Sequence, residues 1–210
     1  MDAHPIVATV AAALLVGAFT SSASAGNPPV TGTISCSVAT YISAHGPEAI
    51  LFHPFLKGTP RLVHLAGGND ESSCDNSGVA GGKAPIREVL FKLSGVMPDA
   101  TCTQLTTTPS FKNARVKLKF RGMNPTALNV ITVANAQGNV ATTSYDSGSH
   151  TLTITTGPLK GSGFVGATAT LHLGFDANTP IDFVEAGCTP DTGVFGLSFG
   201  EMNPSTLEVQ

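Results

Sequence analysis

The sequence predicts an all-β fold, namely an antiparallel β-sandwich or a flattened β-barrel of about nine or ten short strands. Short runs in which apolar and polar residues alternate recur along the chain. Clusters of Gly, Pro, Asn, Asp and Ser separate these runs, as they do in all-β domains. No run has a convincing amphipathic helical period. The pattern does not distinguish a sandwich from a barrel, so both alternatives remain open.

The alternating segments follow one another from residue 33 to residue 199. Pro54 interrupts the second segment, which therefore suits an edge strand. Residues 67–82 are predicted to form a glycine-rich loop around Cys74. The sequence NAQGN at residues 135–139 is typical of a hairpin turn between two strands. The predicted strands cover residues 33–42, 50–56, 61–66, 86–96, 115–120, 128–134, 140–145, 152–154, 167–173 and 194–199.

The N-terminal 25 residues have the pattern of a cleaved export signal. Residues 6–19 are apolar, and this run is shorter than the roughly 20 residues that a membrane span needs. Small residues at Ala23 and Ala25 fit a signal peptidase, which predicts Gly26 as the first mature residue. Residues 1–5 contain no Lys or Arg, and an uncleaved membrane anchor is the alternative. We expect a secreted, extracellular protein with no membrane span after cleavage.

The mature part, residues 26–210, has the length of a single domain, because removing 25 of the 210 residues leaves 185. It keeps all 11 basic residues and loses Asp2 of the 14 acidic ones, so its formal charge is 11 minus 13, or −2. This near-neutral charge gives no bulk attraction to nucleic acid or to an acidic membrane. No nucleic-acid partner is therefore expected.

The mature chain contains four cysteines, Cys36, Cys74, Cys102 and Cys188. An even number of cysteines in an exported protein predicts disulfides, and four cysteines allow three pairings. The gaps between them are far wider than those of a zinc site. Because no cysteine is left over, none is predicted to be a catalytic thiol. The residues themselves leave the pairing open.

Several motifs resemble those of a family of actinobacterial secreted proteins of unknown function. They are TGTISCSVATY at 31–41, HPFLKGTPRLVHLAG at 53–67, GPLKGSGFVGATATL at 157–171 and FGLSFGE at 195–201. The resemblance covers nearly all of the mature chain, although its motifs are loose and structural. Phe120 stands where the family often has Trp. The resemblance implies an all-β fold and the pairs Cys36–Cys74 and Cys102–Cys188, and it implies no activity.

The strongest local chemical signal is a basic stripe in residues 112–122, KNARVKLKFRG. Alternation places four of its cations on one face of a strand and the apolar residues between them on the other. Such a stripe could bind an anionic polymer, or it could be a solvated face whose charge discourages edge pairing. No aromatic residue shares its face, which argues against stacking of single-stranded nucleic acid. The stripe consists of Lys112, Arg115, Lys117, Lys119 and Arg121.

Other candidate residues carry weaker signals. The acidic loop at residues 69–78 departs from the spacing of a calcium-binding loop. No motif of a serine hydrolase or zinc protease is present, so no catalytic residue, metal or cofactor is predicted. Scattered carboxylates could serve glycoside hydrolysis, but the chain has no Trp and two Tyr to form a sugar platform. The mature histidines are His45, His53, His64, His150 and His172, and the scattered carboxylates are Asp176, Asp182, Glu185 and Asp191.

Together these observations predict a secreted, disulfide-bonded, non-catalytic protein with a binding or structural role in the extracellular space or cell envelope. Its partner would be an anionic envelope polymer or another extracellular protein. Two alternatives remain. One is a secreted hydrolase with a scattered Asp/His site, and the other is an extracellular inhibitor or effector that binds a protein of another cell.

Overall fold

The computed structural model describes residues 28–40, 42–43, 46–47, 50–51, 61–68, 74–98, 101–175, 181–185, 196–197, 199–200 and 203–210. The strands of this part of the chain are β1 (Thr31–Gly32), β2 (Ile34–Ser37), β3 (Ala39–Thr40), β4 (Ile42–Ser43), β5 (Gly46–Pro47), β6 (Ile50–Leu51), β7 (Arg61–Gly68), β8 (Cys74–Asp75), β9 (Val79–Ala80), β10 (Glu88–Met97), β11 (Lys112–Met123), β12 (Val130–Asp146), β13 (Thr151–Thr156), β14 (Lys160–Gly161), β15 (Ala169–Gly174), β16 (Gly196–Leu197) and β17 (Thr206–Val209). Its helices are α1 (Cys102–Thr107) and α2 (Ile181–Glu185).

Within the described residues, thirteen strands form one antiparallel sheet. Their order is β16, β6, β7, β10, β11, β12, β13, β15, β17, β2 and β8, with β14 beside β12 and β3 beside β7. The sheet curls into a half-barrel, which confirms the predicted antiparallel all-β class. No described helix is long and apolar enough to cross a membrane.

The longest strand, β12, joins the two halves of the sheet. Its first part pairs with β11 and its second part with β13, and a register shift marks the change of partner at Val140. The predicted turn at residues 135–139 is wrong, because the strand runs straight through it. Ala134, Ala136 and Gly138 face the core, where a Cβ on Gly138 would lie 3.0 Å from that of Thr156. These small residues let the chain pack closely and stay extended, which overrides the turn tendency of Asn and Gly.

The described residues form a hydrophobic core on the concave face of the curled sheet. Phe120 packs against Phe164 with ring centroids 4.8 Å apart, and Phe91 lies 5.9 Å from Phe199. Both halves of the sheet contribute to this core, so curling brings apolar faces together that a flat sheet would expose to water. The strand residues at its centre include Val89, Leu93, Val116, Leu118, Leu152, Ile154, Leu171, Leu173, Leu207 and Val209.

Several elements were not predicted from the sequence, among them the two-residue strands β8 and β9 within the predicted loop at residues 67–82, strand β17 and both helices. Strand β17 pairs with β15 on one side and with β2 on the other, and it buries Leu207 and Val209. Helices α1 and α2 have six and five residues, which is too short for a helical period to show. Thr101 caps α1, because its hydroxyl accepts a hydrogen bond of 3.0 Å from the Gln104 backbone N–H.

The predicted disulfide Cys36–Cys74 is confirmed. The two cysteines face each other on β2 and β8, with Cα atoms 4.0 Å apart. Cys102 is also disulfide-bonded. Its pairing with Cys188 stays a prediction, since Cys188 lies outside the described residues, as do the export signal and the loop residues Asp70 and Glu71.

Candidate functional site

Strand β11 carries the predicted basic stripe on the convex face of the sheet. Ala114, Val116, Leu118 and Phe120 are buried, and the cations between them point outward. Arg115, Lys117 and Lys119 are exposed, and Arg121 is half-buried. The structure therefore places four stripe cations on one surface and their apolar neighbours in the core.

Lys112 joins the same surface through an irregularity in the strand pairing. By simple alternation Lys112 would fall on the buried side, together with Ala114. Between the pairs Ser94–Arg115 and Val96–Lys112, however, β11 has one more residue than β10. Asn113 in this segment has a φ of +52°, a conformation that Asn tolerates better than most residues. The bulge returns Lys112 to the outward side, opposite Val96.

The neighbouring strands extend the stripe into a wider cationic surface. Lys92 of β10 lies directly opposite Lys117, and on the other side Lys117 faces Gln137 of β12. Gln137 in turn faces Lys160 of β14. A row of three lysines and one glutamine therefore crosses four strands, which are about 4.8 Å apart. We call Lys92, Arg115, Lys117, Lys119 and Lys160 the cationic face.

Lys92 and Lys160 could not be assigned to this surface from the sequence. Each is a single lysine in its own segment, and only the register between strands reveals that both lie in the row of Lys117. The alternating pattern of β11 was a sufficient signal for the stripe itself. A register cannot be read from an alternating pattern in one strand, because the pattern fixes the face and not the partner.

Within the described part of the chain, little negative charge compensates the cationic face. Arg121, just beyond it, forms an ion pair with Glu88 at 2.9 Å. Among the described residues, none of the five cations of the face forms an ion pair. Like charges that face each other directly across two strands are destabilising. The opposition of Lys92 and Lys117 is thus an unfavourable arrangement in the protein on its own.

Polar side chains and a groove adjoin the cations. Asn139, Gln137 and Asn135 of β12 lie opposite Arg115, Lys117 and Lys119, respectively, and are exposed. Each carboxamide offers both donors and an acceptor. An open groove of about 610 Å³ runs along this surface. Its lining includes Ser94, Asn113, Arg115, Lys117 and Asn139.

A second cluster of functional groups lies at the far end of β12. His150, in the turn between β12 and β13, meets Asp182 and Glu185 of α2, and one nitrogen or oxygen from each lies within 4.8 Å of the others. His150 Nδ1 is 2.9 Å from Glu185 Oε1. The residues were candidates individually, but the sequence did not predict that they meet, because it did not predict α2. Asp176 and Asp191 lie outside the described residues.

Tyr145 completes this second cluster. Its hydroxyl donates a hydrogen bond of 2.8 Å to Glu185 Oε1. Burial, together with this bond to a carboxylate, raises the pKa of Tyr145 far above its usual range. The phenol therefore keeps its proton and holds the Glu185 carboxylate in place.

Other candidate residues from the sequence lie outside both the cationic face and the second cluster. His172 Nδ1 lies 3.2 Å from the hydroxyl of Thr153 on the neighbouring strand. The exposed Asp75 accepts a hydrogen bond of 2.8 Å from the Ser77 backbone N–H, and such bonds from Ser77 lower the pKa of Asp75. His64 is in register with Ser94, and His45 and His53 lie outside the described residues.

Comparisons with protein-family models, curated proteins and solved structures gave no match. The resemblance to the actinobacterial secreted family stays a prediction, and the function must be argued from the surface of this chain.

Proposed function

We propose that this chain is an exported, non-catalytic binding protein of the extracellular space or cell envelope, and that its cationic face binds an anionic polymer. The face offers five cations without ion-pair partners among the described residues, next to three exposed carboxamides. An extended polymer with repeating negative charges is the ligand class that such a surface complements.

The opposition of Lys92 and Lys117 is the observation that carries this proposal. If stability alone determined the residues of this sheet, we would expect an acidic residue opposite Lys117, as Glu88 lies opposite Arg121. Protection against edge pairing is the alternative explanation of a basic strand. It does not apply to β11, which is paired with β10 on one side and β12 on the other. Repulsion between the two lysines would be relieved by a bound anion.

The spacing of the charges favours a polymer over a small anion. Successive outward residues on one strand lie roughly 6.5–7 Å apart, and neighbouring strands about 4.8 Å apart. The cations are thus spread over a surface and do not converge on one point. The outward positions opposite them hold Lys92, Leu90, Ser94 and the three carboxamides, and Phe111 in the groove lining is half-buried and packs against the core, so the cations have no exposed aromatic ring opposite them for base stacking. An anionic polysaccharide or phosphate polymer fits this surface better than single-stranded nucleic acid.

Export is the second part of the proposal. Its support is the pattern of residues 1–25 together with the Cys36–Cys74 disulfide. Disulfides persist mainly in oxidising compartments outside the cytosol. A polymer of the cell envelope or its surroundings would be the accessible ligand there.

The test is retention on a column carrying a sulfated polysaccharide at low salt. The variant Lys117→Glu/Lys119→Glu is expected to lose retention, because it places two carboxylates at the centre of the cationic face. The control is Lys83→Glu/Arg87→Glu, which changes the net charge equally at two exposed residues outside the face. We expect the control to elute close to the unmodified protein.

Equal loss of retention in both variants would show that net charge alone governs binding and would contradict the proposal. Retention that survives in Lys117→Glu/Lys119→Glu would also contradict it. Capture of one specific extracellular protein in place of polymer would favour the inhibitor or effector alternative.

A further inference from the structure

Three side chains with metal-binding groups meet where the turn after β12 faces α2. They are the imidazole of His150 and the carboxylates of Asp182 and Glu185, and their nearest ligand atoms all lie within 4.8 Å of one another. Asp182 and Glu185 are three residues apart on a helix, a spacing that places both on one side of it. The cluster is separate from the cationic face.

The backbone and a neighbouring side chain hold two of these groups in position. The carbonyl of His150 accepts a hydrogen bond of 3.0 Å from the Phe175 backbone N–H, which ties the turn to the end of β15. The Tyr145 hydroxyl binds Glu185 Oε1 at 2.8 Å. Residues that orient ligands through such outer contacts are a regular part of protein metal sites. Asp182 is exposed, so its side chain has room to turn towards the other two.

We propose that His150, Asp182 and Glu185 bind a divalent transition-metal ion, with Zn²⁺ as the best-matched ion. One imidazole nitrogen and two carboxylate oxygens are ligands that Zn²⁺ accepts, whereas Ca²⁺ and Mg²⁺ prefer oxygen alone. Three protein ligands leave the fourth tetrahedral position to water, as in an open zinc site.

The distances are close to those that an ion requires. Zn–N and Zn–O bonds of about 2.0–2.2 Å place the ligands of a tetrahedral ion about 3.3 Å apart. His150 Nδ1 and Glu185 Oε1 are already 2.9 Å apart. The ion would replace the hydrogen bond between these two atoms, and a rotation of Asp182 would supply the third ligand. No movement of a strand is needed.

Calorimetry with the purified, untagged, EDTA-treated protein tests this site. We expect one Zn²⁺ to bind per chain and Ca²⁺ to bind far more weakly or not at all. Asp182→Asn keeps the shape of an exposed side chain and is expected to weaken Zn²⁺ binding at least about tenfold. His150→Asn should have a similar effect, and Asn suits the φ of +50° at this position.

The matched control is His172→Asn, which removes a half-buried histidine from β15, outside the cluster. Its Zn²⁺ affinity should equal that of the unmodified protein. Replacing Zn²⁺ by Co²⁺ adds a second readout, since a bound tetrahedral Co²⁺ absorbs visible light and Asp182→Asn should need a higher Co²⁺ concentration to reach the same absorbance. Zn²⁺ affinity that is unchanged in Asp182→Asn, or lost equally in His172→Asn, would overturn the proposal. So would a protein that binds no Zn²⁺.

Discussion

At the scale of single residues, Asp146 makes the stability of the fold depend on pH. It ends β12, and its Oδ1 accepts a hydrogen bond of 2.9 Å from the Gly148 backbone N–H. Its Oδ2 accepts another of 3.0 Å from the Ser149 hydroxyl. The backbone bond from Gly148, followed by the Ser149 hydroxyl, lowers the pKa of Asp146 below its usual value. The ionised carboxylate therefore stabilises the turn that presents His150.

The pH dependence follows from the direction of this change. A carboxyl whose pKa is lowered by folding contributes stability above its ordinary pKa, and this contribution disappears as the pH falls through the lowered value. Asp146→Asn should therefore reduce the loss of Tm between about pH 6 and pH 2. Ser149→Ala removes one of the two bonds and should have a smaller effect. Identical acid profiles for Asp146→Asn and the unmodified protein would contradict this assignment.

The stripe on β11 shows what single residues reveal in sequence and what they do not. The faces of Arg115, Lys117 and Lys119 could be predicted, because the strand period of two is a local property. The other members of the surface and of the second cluster depend on which strands and turns lie next to each other in three dimensions. Lys92 and Lys160 joined the surface through strand register. The cluster of His150 with Glu185 likewise depends on a contact between residues 35 positions apart.

At the scale of elements, β12 shows how pairing outweighs local preference. Asn and Gly at residues 135–139 are typical of a turn, yet they lie in the middle of the longest described strand. β11 and β14 pair with β12 here, and a strand bonded on both sides gains more hydrogen bonds than a turn would make. The alternation was present in the sequence, with Ala134, Ala136 and Gly138 as its inward residues. This alternation is difficult to recognise in the sequence because its inward residues are small, whereas a core-facing strand is usually recognised by large apolar residues.

The Cys36–Cys74 disulfide joins β2 to the short neighbouring strand β8. Strand β8 has two residues and pairs only with β2 among the described strands. The bond closes a loop with a sequence separation of 38, which corresponds to about 4 kcal/mol in the chain-entropy model. Cys36→Ala/Cys74→Ala should therefore lose about 2–4 kcal/mol of unfolding free energy in a denaturant titration.

Thiol titration provides the control for this experiment. The unmodified protein should show no free thiol under denaturing, non-reducing conditions, and Cys36→Ala/Cys74→Ala should also show none if Cys102 keeps its disulfide. Two or more titratable thiols in the unmodified protein would contradict the disulfide assignment. A loss below about 1 kcal/mol would show that β8 is held by other contacts.

At the scale of the whole molecule, the described chain is integrated into the fold from its first residues. The carbonyl of Pro28 accepts a hydrogen bond of 3.1 Å from the Gly82 backbone N–H. Val30 is buried, and its carbonyl accepts a hydrogen bond of 2.7 Å from the Phe164 backbone N–H. Cleavage before Gly26 would leave both contacts intact. The predicted cleavage site is thus compatible with the folded domain.

If the proposed export signal is cleaved as predicted, mass spectrometry of protein recovered outside the producing cell should give an N-terminus at Gly26. The variant Ala23→Leu/Ala25→Leu replaces the small residues that fit a signal peptidase, and it should remain uncleaved. An intact Met1 in the unmodified protein would contradict the signal interpretation and favour a membrane anchor. A start at another residue between 20 and 28 would move the domain boundary and leave the contacts of Pro28 and Val30 in place.

The pairing of β2 with β17 affects the order in which the chain can fold. Ile34 pairs with Val209, so β2 gains this partner only after the described residues between the two strands have been made. Contacts between such distant residues form slowly, because a long loop must close before they are gained. Until β17 has been made, β2 has no partner on this side. The sheet of the described residues is therefore completed on this side only after β17 has joined it, which makes this pairing a late step of folding.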